Sequence, residues 1–95
     1  MRISNSEHQF IRNYWHRNFP NSTVYLFGSR ADDNQRGGDI DLLVLNDEKI
    51  TLLQKINFLG GFLKELGEQK VDLVTYTYSE NTPFKRIALE KAVEL

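Results

Sequence analysis

The sequence predicts a small α/β (α+β) domain, a mixed sheet flanked by helices in the order α-β-β-α-β-α. Three observations predict it. Residues 40–45, IDLLVL, are apolar at every position except Asp41, and a strand without polar alternation is covered on both faces. Leu52, Ile56, Leu59, Leu63 and Leu66 recur in steps of four and three, the spacing of an amphipathic helix. Residues 24–27, VYLF, form a short β-branched and aromatic run that Gly28 stops, as a strand would.

The remaining elements follow in chain order. Ser4 and Glu7 have the S-x-x-E form of a capping box, and Phe10, Ile11, Tyr14 and Trp15 then give one apolar stripe. Pro20, Asn21 and Ser22 end that helix. Residues 29–38 are polar and close on Gly37 and Gly38, so they read as a loop with one helical turn at its start. Gly67 is the expected stop of the second helix. Gly60 and Gly61 inside it each cost about 1 kcal/mol relative to alanine, which close packing against the sheet or a partner helix would explain. Residues 71–75 form a third strand carrying Asp72. Thr82 followed by Pro83 starts a last helix, whose buried face is expected from Phe84, Ile87, Ala88 and Ala92.

The bulk numbers narrow the function. The 95 residues fit a single domain, 1–95, with a modest core. Twelve basic and 13 acidic residues give a net charge of −1, so there is no global field for a nucleic-acid backbone and no direct nucleic-acid binding is expected. The absence of cysteine excludes disulfides and thiolate zinc sites and fits a cytoplasmic location. No apolar run is long enough to span a bilayer, so no membrane role is expected.

The chemistry concentrates in residues 24–46. Asp39 and Asp41 are two apart, so on a strand they point to one face with Cα atoms roughly 6–7 Å apart. Their repulsion is about 2–3 kcal/mol at an effective dielectric near 20, well above the roughly 0–1 kcal/mol of a surface salt bridge. If the third strand lies beside the second, Asp72 joins them. A shared proton or a divalent cation would relieve the cluster, and oxygen-only ligands favour Mg²⁺ or Mn²⁺. Gly28 and Ser29 supply a sharp turn, a hydroxyl and free amides for a phosphate, and Arg30 adds a charged fork. His8 and His16 lie among polar residues and are expected to face solvent. Lys85, Arg86 and Lys91 read as the wet side of the last helix, and Tyr76 and Tyr78 as strand-end tyrosines able to border a nucleotide.

Together, FGSRADDNQRGGDIDLLV and KVDLVTY resemble the DNA polymerase β-like nucleotidyltransferase superfamily, in particular its minimal nucleotidyltransferases (MNT domains). The shared pattern is Gly-Ser, a loop of about ten residues, Asp-x-Asp, and a third Asp on a later strand. Here residues 30–38 separate Ser29 from Asp39. The resemblance implies that Gly28 and Ser29 hold a triphosphate, that Asp39 and Asp41 ligate two Mg²⁺ ions, and that Asp72 completes the metal site and helps activate the attacking hydroxyl. It implies ATP as co-substrate and in-line attack on the α-phosphorus with release of pyrophosphate. Two departures stand out. Asp32 and Asp33 replace the second arginine of the frequent Gly-Ser-Arg-Ala-Arg-Gly run, so either Arg36 substitutes for it or triphosphate binding is weaker. Gly38 replaces a frequent serine before Asp39, which is expected to loosen the loop.

The resemblance also implies a partner. Minimal nucleotidyltransferases often occur beside a small helical HEPN-type toxin and can transfer AMP to a tyrosine of it. Three readings remain open at this point: an adenylyltransferase antitoxin, a non-catalytic antitoxin that covers the toxin, and a catalytic subunit that nucleotidylates a small molecule with a partner's help. Intact Asp39, Asp41 and Asp72 favour the enzymes.

Overall fold

In the computed structural model, which describes residues 1–95, each helix begins where a side chain caps it. α1 (Asn5–Asn18) is closed by the capping box: Ser4 Oγ accepts from the Glu7 amide at 3.0 Å, and Glu7 Oε1 accepts from the Ser4 amide at 2.8 Å. α2 (Leu52–Leu66) has a second such box between Thr51 and Gln54, which the apolar spacing did not announce. α3 (Pro83–Glu90) starts on Thr82, whose hydroxyl accepts from the Lys85 amide, with proline in the first turn. These contacts satisfy amides that a helix start leaves unpaired.

The strands are β1 (Thr23–Phe27), β2 (Ile40–Asn46), β3 (Val71–Thr77) and β4 (Val93–Glu94). They form one sheet in the order β3-β2-β1-β4. β1 is antiparallel to both β2 and β4, and β2 is parallel to β3, so the sheet is mixed as expected. β4 was not anticipated. The last helix ends at Glu90 rather than continuing through Ala92, and the chain turns back to pair Val93 with Leu26.

Ile40, Leu42 and Val44 join Val24 and Leu26 in a core against Ile11 and Trp15 of α1 and Phe58 and Phe62 of α2. Leu43 and Leu45 point to the other face and are also buried, so β2 is covered on both sides. Trp15 packs in this core, with its ring centroid 5.1 Å from that of Phe58. Gly61 lets α2 approach α1: a Cβ there would lie 3.3 Å from the Phe10 ring, whereas Gly60 faces open space.

Two helix faces differ from expectation. On α2 the docking face is Phe58 and Phe62, with Leu59 and Leu66 of the expected stripe packed beside them, while Leu52, Leu53, Ile56 and Leu63 are 71%, 66%, 53% and 52% exposed. The aromatic pair pack ring against ring with Phe10, Tyr14 and Trp15, which sets the helix on that face. On α3, Phe84 and Ile87 are exposed and Lys85 is buried. Lys85 is therefore not on a wet face. Its Nζ donates to the carbonyls of Thr77, Tyr78 and Glu80 at 3.3, 3.0 and 2.6 Å, closing the β3–α3 turn. His8 is also half-buried, with Nε2 enclosed and unpartnered, whereas His16 is exposed. No helix is long and apolar enough to cross a membrane.

Candidate functional site

The parallel register of β2 and β3 sets Asp41 directly beside Asp72. The antiparallel register of β1 and β2 sets Phe27 on the other side of Asp41. Directly opposed residues share a face, so Phe27, Asp41 and Asp72 form one row across the sheet. Asp39, just ahead of β2, completes the acidic group, and the Ile40 amide donates to the Lys70 carbonyl at 3.1 Å to hold the strand starts together. The three predicted carboxylates are thus brought to one end of the sheet.

Their electrostatics are uneven. Burial first, then the charges of Asp72 and Asp39 and a hydrogen-bonding contact with Asp72, push the Asp41 carboxyl above its ordinary value. Lys70 partly offsets this. Its Nζ lies 3.4 Å from Asp39 Oδ2 in an exposed ion pair. The hydrogen bond to Asp39 and that residue's charge, then the charge of Asp72, hold the lysine above its own ordinary value. Lys70 is the cation of the cluster.

Gly28 opens a 3₁₀ turn, residues Gly28–Ala31, at the end of β1. Its φ is +72°, and a Cβ there would lie 2.3 Å from Asp41 Oδ2. Only glycine lets the turn pass this close to the carboxylate. Gly38 has φ +87°, and a Cβ there would lie 1.9 Å from Ser29 Oγ. The glycine before Asp39 is therefore the space that the Ser29 hydroxyl fills.

The loop it closes is tied rather than loosened. Arg30 Nε donates to the Gly38 carbonyl at 3.2 Å, and its Nη1 donates to the Arg2 carbonyl at 3.0 Å. Arg2 returns the contact: its amide donates to the Arg30 carbonyl at 2.7 Å, and its Nη2 donates to the Ser29 and Gly37 carbonyls at 3.1 and 2.9 Å. Arg30, expected as a phosphate fork, thus has a loop-holding job in this structure. Arg2 was missed, because nothing in its local sequence points to a contact 27 residues away.

Tyr78 lies elsewhere. Its hydroxyl donates to the Asn21 carbonyl at 2.7 Å and its amide to the Asn46 carbonyl. It is at the far end of β3 from Asp72, about 20 Å along a strand of this length. It does not border the acidic cluster.

A pocket of about 820 Å³ adjoins the Gly28–Ser29 turn. The turn and residues 32–35 form one wall, and Phe84, Ile87 and Ala88 of α3 form the other.

Residues 9–95 match the family described as Polymerase beta, Nucleotidyltransferase. The chain belongs to this family. The fold agrees with two crystal structures, each of a mutant of the toxin-antitoxin MntA-HpeT. One matches with TM-score 0.75 and 22% identity over 99% of this chain and 72% of that one. The other matches with TM-score 0.72 and 23% identity over 93% and 70%. No curated protein matches the sequence.

Nucleotidyltransferases of this family generally work with a nucleoside triphosphate and a divalent metal. The residues present fit such an ion. Asp41 is partly buried and carries a like-charge burden that Lys70 only partly offsets, and Gly28 keeps the space beside it open. No three acidic or imidazole side chains close into a ready-made metal cage. Mg²⁺ does not need one, because it is usually held by one or two carboxylates together with substrate phosphates and water.

Proposed function

We propose that this nucleotidyltransferase domain moves AMP from ATP onto a hydroxyl, and that the acceptor is a tyrosine of a small helical HEPN-type toxin for which the chain is the antitoxin. The observation that carries the chemistry is the row of Asp41 and Asp72 in register, with Asp39 and the Gly28 turn beside it. The partner reading is supported by the likeness of fold to structures of a toxin-antitoxin.

In this reading Gly28 and Ser29 receive the triphosphate, and Asp39, Asp41 and Asp72 hold two Mg²⁺ ions. The metal would supply charge stabilisation for the entering and leaving oxygens. The chain's own residues do the rest. Asp72 accepts the proton of the acceptor hydroxyl as its oxygen bonds to the α-phosphorus. The bond from the α-phosphorus to the bridging oxygen breaks, and pyrophosphate leaves with that electron pair. The Arg2 and Arg30 contacts hold the turn and loop that face the phosphates. Lys70, paired with Asp39, offsets part of the charge of the carboxylates that would hold the metal.

The exposed Leu52, Leu53, Ile56 and Leu63 favour a protein partner and keep a second reading in view, an antitoxin that acts by covering the toxin. One experiment separates the two. The protein is mixed with its co-encoded neighbour, Mg²⁺ and each nucleoside triphosphate, and the intact mass of both chains is recorded beside an Asp39→Asn variant. An added AMP on the neighbour, lost in the variant, supports transfer. A stable complex with no mass change, and full toxin neutralisation by Asp39→Asn, supports covering instead.

A further inference from the structure

We propose that the pocket between residues 32–35 and α3 receives the base and ribose of the nucleotide, with Phe84 and Ile87 as the wall against which the base lies. This rests on the nucleotidyltransferase reading and extends it to a part of the substrate that the acidic cluster leaves unassigned.

Position is the first reason. Phe27 is the register partner of Asp41, so the two Cα atoms are about 4.5–5.5 Å apart. The Phe27 ring then meets Phe84 edge-on, with centroids 5.9 Å apart and planes at 83°. The pocket is thus continuous with the acidic row through a single residue, and Gly28 and Ser29 belong to its lining. A nucleotide whose α-phosphate lies at Asp41 has its remaining parts within reach of this wall.

Charge is the second reason. The acids of the lining are Asp32, Asp33 and Glu90, and its basic side chain is Lys91. Asp33 also pairs with the Met1 amino group. Three carboxylates against two ammonium groups do not suit a polyphosphate. They suit a neutral group rich in donors, because carboxylates and the amides of Asn34 and Gln35 accept from ribose hydroxyls and base amino groups.

The third reason is the exposure of the wall itself. Phe84 is 49% and Ile87 67% exposed, although both lie on the apolar face of α3. That face is turned to the pocket and not to the core. A flat aromatic base covering it gains stacking and apolar burial together.

The test measures affinity by calorimetry in Mg²⁺ for two probes, ATP and inorganic tripolyphosphate. The second carries the phosphates without base or ribose. The proteins are wild type, the double variant Phe84→Ala/Ile87→Ala, and Phe84→Leu, which keeps an apolar side chain and removes only the ring. The expected result is a loss of about tenfold or more in ATP affinity for the double variant, a smaller loss for Phe84→Leu, and unchanged tripolyphosphate binding by both. Unchanged ATP affinity in folded variants would overturn the assignment, as would wild type that binds ATP no better than tripolyphosphate. Wild type that binds neither probe would sink the nucleotidyltransferase reading itself, and this assignment with it.

Discussion

Asp41 and Asp72 are direct partners in the parallel register of β2 and β3, so two carboxylates stand side by side at one end of the sheet. Strand pairing alone forces this meeting; burial first, and then the neighbouring charge of Asp72, raise the Asp41 carboxyl above its ordinary value.

That carboxyl makes stability depend on pH in a definite direction. The folded chain keeps its proton to a higher pH than the unfolded chain, whose aspartates titrate near 3.9. Between the unfolded value and the raised folded value the native state binds more protons, so stability falls as pH rises and then stays lowered. Magnesium-free wild type should therefore lose melting temperature across that window, and Asp41→Asn, with no proton to give up, should lose less. Mg²⁺ added at neutral pH should raise the Tm of wild type more than that of the variant. Parallel melting curves for the two proteins at every pH would show that Asp41 carries no such burden.

Gly28 and Gly37 separate backbone strain from site geometry. Both have positive φ, +72° and +62°, so alanine at either costs roughly 1–2 kcal/mol. Only at Gly28 would the new Cβ run into Asp41, because nothing lies within 4 Å of a Cβ at Gly37. Urea unfolding should show both variants destabilised. Binding of Mg²⁺ with ATP should weaken in Gly28→Ala alone. An equal loss of binding in Gly37→Ala would mean that loop conformation, and not the space beside Asp41, is what binding requires.

What the sequence made legible was local. The capping box at Ser4 and Glu7, the strand that Gly28 stops, and the Asp-x-Asp at a strand start each announce themselves within a few residues. What stayed hidden depends on contacts between distant residues. The period of α2 marks which positions are apolar, and Leu59 and Leu66 do pack inward, but it cannot tell that Phe58 and Phe62 are buried while Leu52, Ile56 and Leu63 are exposed, because tertiary packing makes that choice. β4 has only two residues, too few for an alternation to show. The pocket beside Gly28 exists because α3 packs near β1, and Arg2 reaches across the chain to carbonyls that carry no side-chain signature.

Lys85 is such a hidden contact, and its energetic role is open to direct measurement. A buried ammonium shared by three carbonyls holds the β3–α3 turn. Lys85→Met keeps an apolar stem and removes the charge. It leaves those carbonyls without their donor, a change of about 2–3 kcal/mol for charge-assisted hydrogen bonds. Denaturant unfolding should show a loss of that size, and hydrogen exchange should quicken at residues 77–80. A variant as stable as wild type would mean that water replaces the ammonium without penalty.

Arg2 should matter more for binding than for folding. Arg2 is half-buried outside the core, and its contacts go to both ends of the same loop, at Ser29 and Gly37, with Asp32 between them at 3.5 Å. Removing it leaves the core untouched but frees a segment that must be ordered when phosphate binds. Ordering a residue costs about 1–2 kcal/mol, so restoring even one or two residues at the moment of binding lowers affinity roughly tenfold or more. Arg2→Ala should therefore weaken ATP binding by about that factor while changing the Tm little, and exchange should quicken across residues 29–38. Arg2→Lys should not restore binding, because a compact ammonium cannot span carbonyls that a planar fork reaches together. Undiminished affinity in Arg2→Ala would show that Arg30, through its hold on Gly38, keeps the loop in place alone.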